Sequence, residues 1–167
     1  MKSLYIIRHA KSSWGDFTTP DFDRPLNERG KNDAPEMAKR LIKKNITIDL
    51  FISSPAKRAQ KTCKAFCKEY NYAESNILLI GELYHASVEA FYITISGIAS
   101  KYDSAAVFSH NPGITEFVNS LGTGVKTDNI PTCGIYGVSF IASHWNEFKK
   151  ADKRFLLFDY PKLMESL

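Results

Sequence analysis

Cysteine is scarce: Cys63, Cys67 and Cys133 are the only three, an odd and unpatterned set that excludes a disulfide framework and fits a reducing compartment. No apolar run reaches the roughly 18 residues that a membrane-spanning helix needs. No secretory signal is expected, because the apolar run Ser3 to Ile7 is cut off by Arg8. Charge of one sign is not in excess either. The net charge is +4, from 22 basic and 18 acidic residues, and the cations are scattered through helical patterns, which argues against a nucleic-acid partner. Internal repeats, low-complexity tracts and Gly/Ser linkers are absent, so residues 1–167 are expected to form a single domain. At that length a chain buries roughly 70% of its unfolded surface. With 44% hydrophobic and 24% charged residues, disorder is not expected. The expectation is a cytoplasmic monomer with no membrane contact.

What is present alternates. Apolar runs predict strands at Ser3–Ile7, Leu50–Ser53, Ile77–Ile80, Ala105–Ser109, Gly137–Ile141 and Phe155–Asp159. Between the first four lie three segments of helical period. Ala34, Met37, Ala38, Leu41 and Ile42 make one apolar stripe; Ala59, Cys63, Phe66, Cys67 and Tyr70 make the second. Val88, Phe91, Tyr92, Ile95 and Ile98 make the third, although "YITIS" within it is rich enough in β-branched residues to be a strand. A fourth helix is expected to open at "SHNPG", with Asn111 as N-cap and Pro112 at the first helical position, and to stop near Gly122. Pro35 leaves two possibilities: a helix starting near Asp33, or one starting at Asn27 and running through the proline. Strand–helix alternation predicts a three-layer α/β/α sandwich, with a mostly parallel central sheet and helices on both faces. The last two strands have no room for a helix between them and read as an antiparallel pair.

The reactive residues collect at the carboxyl ends of these strands, where open α/β sheets bind ligands. Arg8 and His9 follow the first strand, and Ser54, Pro55 and Arg58 follow the second. Glu82 follows the third and His110 the fourth. Taken singly, a histidine after a strand or an arginine on a helix is ordinarily structural or solvated. Together they suit a phosphoryl group: two guanidiniums to clamp it and a helix N-terminus after His110 to add N–H donors. Cations around His9 disfavour its imidazolium, leaving a ring lone pair with which to attack phosphorus. Glu82 is then a candidate proton donor to the leaving group.

"RHAKSSW", "SSPAKRAQKT", "GELYHAS" and "SHNPG", in that order, resemble the histidine phosphatase superfamily, the phosphoglycerate mutase-like clan. The short chain and "DRPLNERG" resemble its SixA-type phosphohistidine phosphatases. The resemblance spans Leu4 to about Gly122. It implies that His9 is the nucleophile and that Arg8, Arg58 and His110 hold the phosphoryl oxygens. It further implies Arg24 as an additional pocket cation, Glu82 at the position of the proton donor, and catalysis with no metal or cofactor. Ala10 and Lys11 depart from the glycine and the acidic or amide residue usual in the wider clan, but "RHAK" is familiar in the SixA-like branch. Gly15 stands where the mutases carry a phosphate-binding asparagine. Larger members carry a lid after the helix with the second arginine. Here only about ten residues separate Lys68 from Ile77, so no large cap insertion is expected.

Other signals carry less. Glu69, Ala73 and Ser139 stand six positions after the cysteines, where a cysteine-based phosphatase needs arginine. "GTGVKT" lacks phosphate-loop spacing. Asp21 and Asp23 lie in a proline-rich loop, as solvated residues or as a partner for Arg24. Cys63 and Cys67 read as core; Trp14 suits either a pocket rim or the core. Tyr84 and His85 suit either the pocket or a packed or solvent-exposed place, and His144 a surface turn. Three functions follow: a phosphatase acting on phosphohistidine in a protein, for example a histidine-phosphotransfer domain; the same chemistry on a small phosphorylated metabolite; or a phosphate-binding module without turnover.

Overall fold

The computed structural model describes residues 1–14 and 16–166, so Gly15 lies outside the described residues. The strands are β1 (Lys2–Arg8), β2 (Leu50–Ser53), β3 (Leu78–Leu79), β4 (Ser104–Ser109), β5 (Ile135–Phe140) and β6 (Arg154–Asp159). The helices are α1 (Glu28–Lys43), α2 (Lys57–Glu69), α3 (Val88–Ser96) and α4 (Gly113–Asn119). One six-stranded sheet runs in the order β3-β2-β4-β1-β5-β6. β3, β2, β4 and β1 pair in parallel, while β5 is antiparallel to both β1 and β6. This is the expected mostly parallel sandwich, closed on one side by an antiparallel pair.

Alternation along β1 divides the core in two. Leu4 and Ile6 face the layer of α3 and α4, where they meet Phe91, Ile95, Ile114 and Phe117. Tyr5 and Ile7 face the layer of α1 and α2, with Met37, Leu41, Cys63 and Phe66. Cys63 and Cys67 are fully buried there, as core residues. Both faces of the sheet are therefore covered, which is why its central strands read as unbroken apolar runs. "YITIS" is helical, within α3, because Phe91, Tyr92 and Ile95 put its apolar face on the sheet.

Three local expectations are corrected or settled. β3 is only two residues long, and Leu78 and Leu79 are about half exposed, because this edge strand pairs on one side only. α1 begins after Asn27, whose side chain accepts the Gly30 N–H, and it runs on through Pro35. Proline supplies no donor to the preceding turn, but Ala34, Met37, Ala38 and Leu41 are buried on either side of it and hold the helix on the sheet. α4 starts at Gly113, later than expected, and Asn111 reaches past the start to accept from both the N–H and the hydroxyl of Thr115. The Ile114 and Glu116 N–H groups go to the His110 and Pro112 carbonyls. The Ile114, Thr115 and Glu116 donors are therefore spent within the chain.

Candidate functional site

His9 leaves β1 between two backbone anchors. Its N–H donates to the Ser109 carbonyl at the end of β4, and its carbonyl accepts the Cys133 N–H from the segment before β5. The ring is also fixed. Nδ1 lies 2.8 Å from the Ala10 carbonyl oxygen. A carbonyl only accepts, so Nδ1 carries the proton and Nε2 keeps a lone pair. Burial pulls the His9 pKa down to about 3, opposed by the bond to Ala10 and reinforced by the charges of Arg58, Arg8 and Arg24. The imidazole is therefore neutral at physiological pH, with Nε2 as its nucleophilic atom.

The cations come from three elements. Arg8 ends β1 and donates from Nη1 to the Ile130 carbonyl. Arg58 stands in the first turn of α2, 5% exposed, with Nη1 and Nη2 on the backbone and carboxylate oxygens of Asp21. Arg24 lies on the loop before α1, its guanidinium 3.6 Å from the ring centre of Trp14. Trp14 is itself mostly exposed, so it forms a rim and not part of the core. That loop is pinned: Ser12 bridges Leu26, Ser13 N–H donates to the Pro25 carbonyl, and Asn27 N–H to that of Lys11.

His110 follows β4, its ring centre 5.2 Å from that of His9. Its Nε2 lies 2.7 Å from Ser54 Oγ. Ser54 Oγ also accepts the Ala56 N–H; in the tautomer in which it donates its own proton to Nε2, the His110 proton stands on Nδ1. Burial, then the neighbouring His9 and Arg58, lower its pKa to about 3. Among the described residues, five buried side-chain nitrogen or oxygen atoms find no hydrogen-bond partner in the chain. Four of them are Arg8 Nε, Arg24 Nη1, Arg58 Nε and His110 Nδ1. A buried donor left unpaired costs about 1–3 kcal/mol. Four such donors around one free imidazole nitrogen form a place for an oxyanion.

Asp21 organises the cations. Oδ1 accepts from Arg24 Nε at 3.1 Å, and Oδ2 accepts from Arg58 Nη2 at 3.0 Å and from the Tyr84 hydroxyl at 2.6 Å. Partial burial raises its pKa, but the hydroxyl of Tyr84 and the guanidiniums outweigh it and bring the value down to about 2. Of the two readings of Asp21, the partner for Arg24 is the one found. Its hold on Arg58 had no signal in the sequence, since 37 residues separate the two. Thr62 was missed as well. Its hydroxyl accepts the Ala10 N–H and donates to the Arg58 carbonyl, tying the turn after His9 to α2. An i, i+4 step from Arg58 is the only trace of that role in the sequence.

The structure brings Arg8, His9, Arg24, Arg58 and His110 together. It does not bring Glu82 among them. Glu82 is exposed, has no hydrogen bond or ion pair among the described residues, and lines a separate apolar cavity of about 390 Å³ with Leu78, Ile80 and Ile93. The side chain from that segment that reaches the site is Tyr84, which packs against His110 with ring centres 5.6 Å apart. His85, exposed and tilted against the Tyr84 ring, completes that side, while Lys11 is half-buried with no ion pair among the described residues. His144 is exposed beside a fully buried Trp145.

Solved structures share this fold. The SixA protein histidine phosphatase complexed with tungstate superposes with a TM-score of 0.82 at 21% identity, over 97% of this chain and 99% of that one. A protein from Agrobacterium tumefaciens assigned as the phosphohistidine phosphatase SixA gives 0.80 at 24%, over 96% and 98%. A mycobacterial glucosyl-3-phosphoglycerate phosphatase gives 0.67 at 13%, over 96% and 100%. An uncharacterised chloroplastic protein of Arabidopsis thaliana is 28% identical, over 87% of this chain and 70% of its own length. Residues 4–83, which carry Arg8, His9, Arg24 and Arg58, match the family model of the histidine phosphatase superfamily (branch 1).

Proposed function

We propose that the protein is a phosphatase in which His9 Nε2 takes the phosphoryl group from substrate and water then removes it. The observation that carries this reading is the set of four unpartnered buried donors, on Arg8, Arg24, Arg58 and His110, around a histidine whose attacking nitrogen is unprotonated. All three guanidiniums act on His9 through their charge and suit a trigonal phosphoryl group in flight, on which negative charge spreads over three oxygens. A module that only bound phosphate would need no neutral nucleophile held in one tautomer.

The substrate we infer is phosphohistidine on a protein, such as a histidine-phosphotransfer domain, in a reducing compartment like the cytoplasm. Breaking a P–N bond makes a lighter demand on an acid than breaking a P–O ester. The isolation of Glu82 from the cations supports that choice, as does the lack of a lid between α2 and β3. The fold shared with a glucosyl-3-phosphoglycerate phosphatase keeps a small phosphomonoester as the second reading. The test compares phosphate release from a phosphohistidine protein and from a panel of phosphomonoesters, with wild type and His9→Ala. Turnover of the protein substrate, lost in His9→Ala, is expected. Turnover of small esters alone favours the second reading, and oxyanion binding without any turnover reduces the protein to a binding module.

A further inference from the structure

We propose that Asp21 is a specificity-determining residue that receives the leaving group: its carboxylate holds the imidazolium ring of a phosphohistidine substrate and so selects P–N over P–O substrates. This rests on the reading of His9 as nucleophile. Of about four lone-pair directions on the carboxylate, three are taken, by Arg24 Nε, Arg58 Nη2 and the Tyr84 hydroxyl. One remains on Oδ1, and the side chain is 44% exposed. Every group that faces it is a donor: Arg58 from α2, Arg24 from its own loop, Tyr84 from the segment before α3. Asp21 is therefore ionised throughout the working pH range.

A fixed, accessible anion beside a phosphate clamp is at first sight a defect, because it repels a phosphoryl dianion. It becomes useful when the leaving group is a cation. A phosphohistidine ring protonated on its free nitrogen presents an N–H that the open lone pair accepts, and the opposite charge favours the protonated ring. The step then balances without an acid. The His9 Nε2 lone pair forms the new N–P bond while the substrate N–P bond breaks. Its electron pair returns to the ring, which arrives as imidazolium and leaves as neutral imidazole with the proton it brought. Water next attacks phosphorus, the Nε2–P pair returns to His9, and phosphate departs carrying both protons of that water. No proton passes through Glu82, in keeping with its place outside the site. An ester oxygen would leave as an alkoxide beside the Asp21 carboxylate, whose like charge opposes it.

The test is Asp21→Asn, which keeps the shape and removes the charge. Its kcat/KM for a phosphohistidine protein is expected to fall about tenfold, and the alkaline limb of its kcat profile to move about one pH unit lower. Its kcat/KM for phosphomonoesters is expected to fall by less, about threefold, through the loosened guanidiniums alone. An equal change in both substrate classes with an unmoved limb would overturn the proposal, leaving Asp21 as a brace for the guanidiniums. A measurement on wild type guards against a misfolded variant. Imidazole is expected to tighten vanadate binding at about pH 6 and not at about pH 8, as the ring loses its proton; the same effect at both would also overturn it. If wild type fails on phosphohistidine, or His9→Ala retains turnover, the failure lies in the nucleophile or substrate assignment instead.

Discussion

Thr62 Oγ1 accepts the Ala10 N–H at 2.9 Å, and through it the turn that fixes the His9 ring is bound to the helix that carries Arg58. Thr62→Val keeps the volume and removes the acceptor, leaving the Ala10 N–H buried and unpaired. The loss of stability is expected to be about 1–3 kcal/mol in urea denaturation. A fall in kcat should accompany it, because the Ala10 carbonyl sets the His9 tautomer. Thr62→Ser, which retains the hydroxyl, should recover most of the catalytic loss. Equal kcat in Thr62→Val and wild type would show that the turn needs no such tie.

Acid destabilises this protein through the site itself. An unfolded histidine takes up its proton near pH 6.5, whereas folded His9 and His110 do so only at about 3. Between those values the unfolded chain binds more protons. Stability is therefore full above about pH 6.5 and falls with pH through that window, by up to about 1.4 kcal/mol per pH unit for each histidine. Asp21, brought down to about 2, adds a further loss below about pH 4. Urea midpoints recorded across pH check this, and His110→Gln should roughly halve the slope. A midpoint flat from neutral to about pH 4 would contradict the neutral, buried state of both rings.

Oxyanion affinity should rank the cations. Arg58→Ala removes a buried guanidinium whose charge acts on both histidines, while Lys11 has no ion pair to lose. Vanadate binding by calorimetry is expected to weaken by tenfold or more in Arg58→Ala, the scale of a charged hydrogen bond. Lys11→Ala should change it by less than about threefold, as for a screened surface charge. Equal losses would mean that the long-range field of the pocket matters more than its clamp.

Gly30 lets α1 lie against the loop after His9. A Cβ at that position would stand 2.2 Å from the Lys11 carbonyl oxygen, and a backbone atom cannot swing aside. Gly30→Ala is expected to cost about 1–3 kcal/mol by overpacking and to lower kcat along with thermal stability. Unchanged melting would show that α1 can slide at no cost.

The sequence made the framework and most of the site readable for one physical reason. The apolar stripes fix which segments face the sheet, and a parallel sheet delivers residues that follow its strands to a single edge. Arg8, His9, Arg58 and His110 follow from that rule alone. Glu82 obeys the same rule of position, yet β3 is a two-residue edge strand, and the 3-10 turn after it presents Tyr84 to the site instead. Contacts made across loops were not legible, because no periodicity links Asp21 to Arg58 or Ala10 to Thr62. The start of α4 misled for a related reason. "SHNPG" has the composition of a cap, but Asn111 gives its side chain to Thr115 and to the 129–130 segment.

The central claim is that His9 Nε2 carries the phosphoryl group between substrate and water. The most direct measurement is rapid acid-free quenching of enzyme mixed with a phosphohistidine protein, followed by mass spectrometry of its peptides. The account predicts one added phosphoryl group on the peptide containing His9, labile to acid and stable to alkali, and absent from His9→Ala. Steady turnover by wild type with no such adduct at any quench time, or an adduct at another residue that persists in His9→Ala, would contradict it.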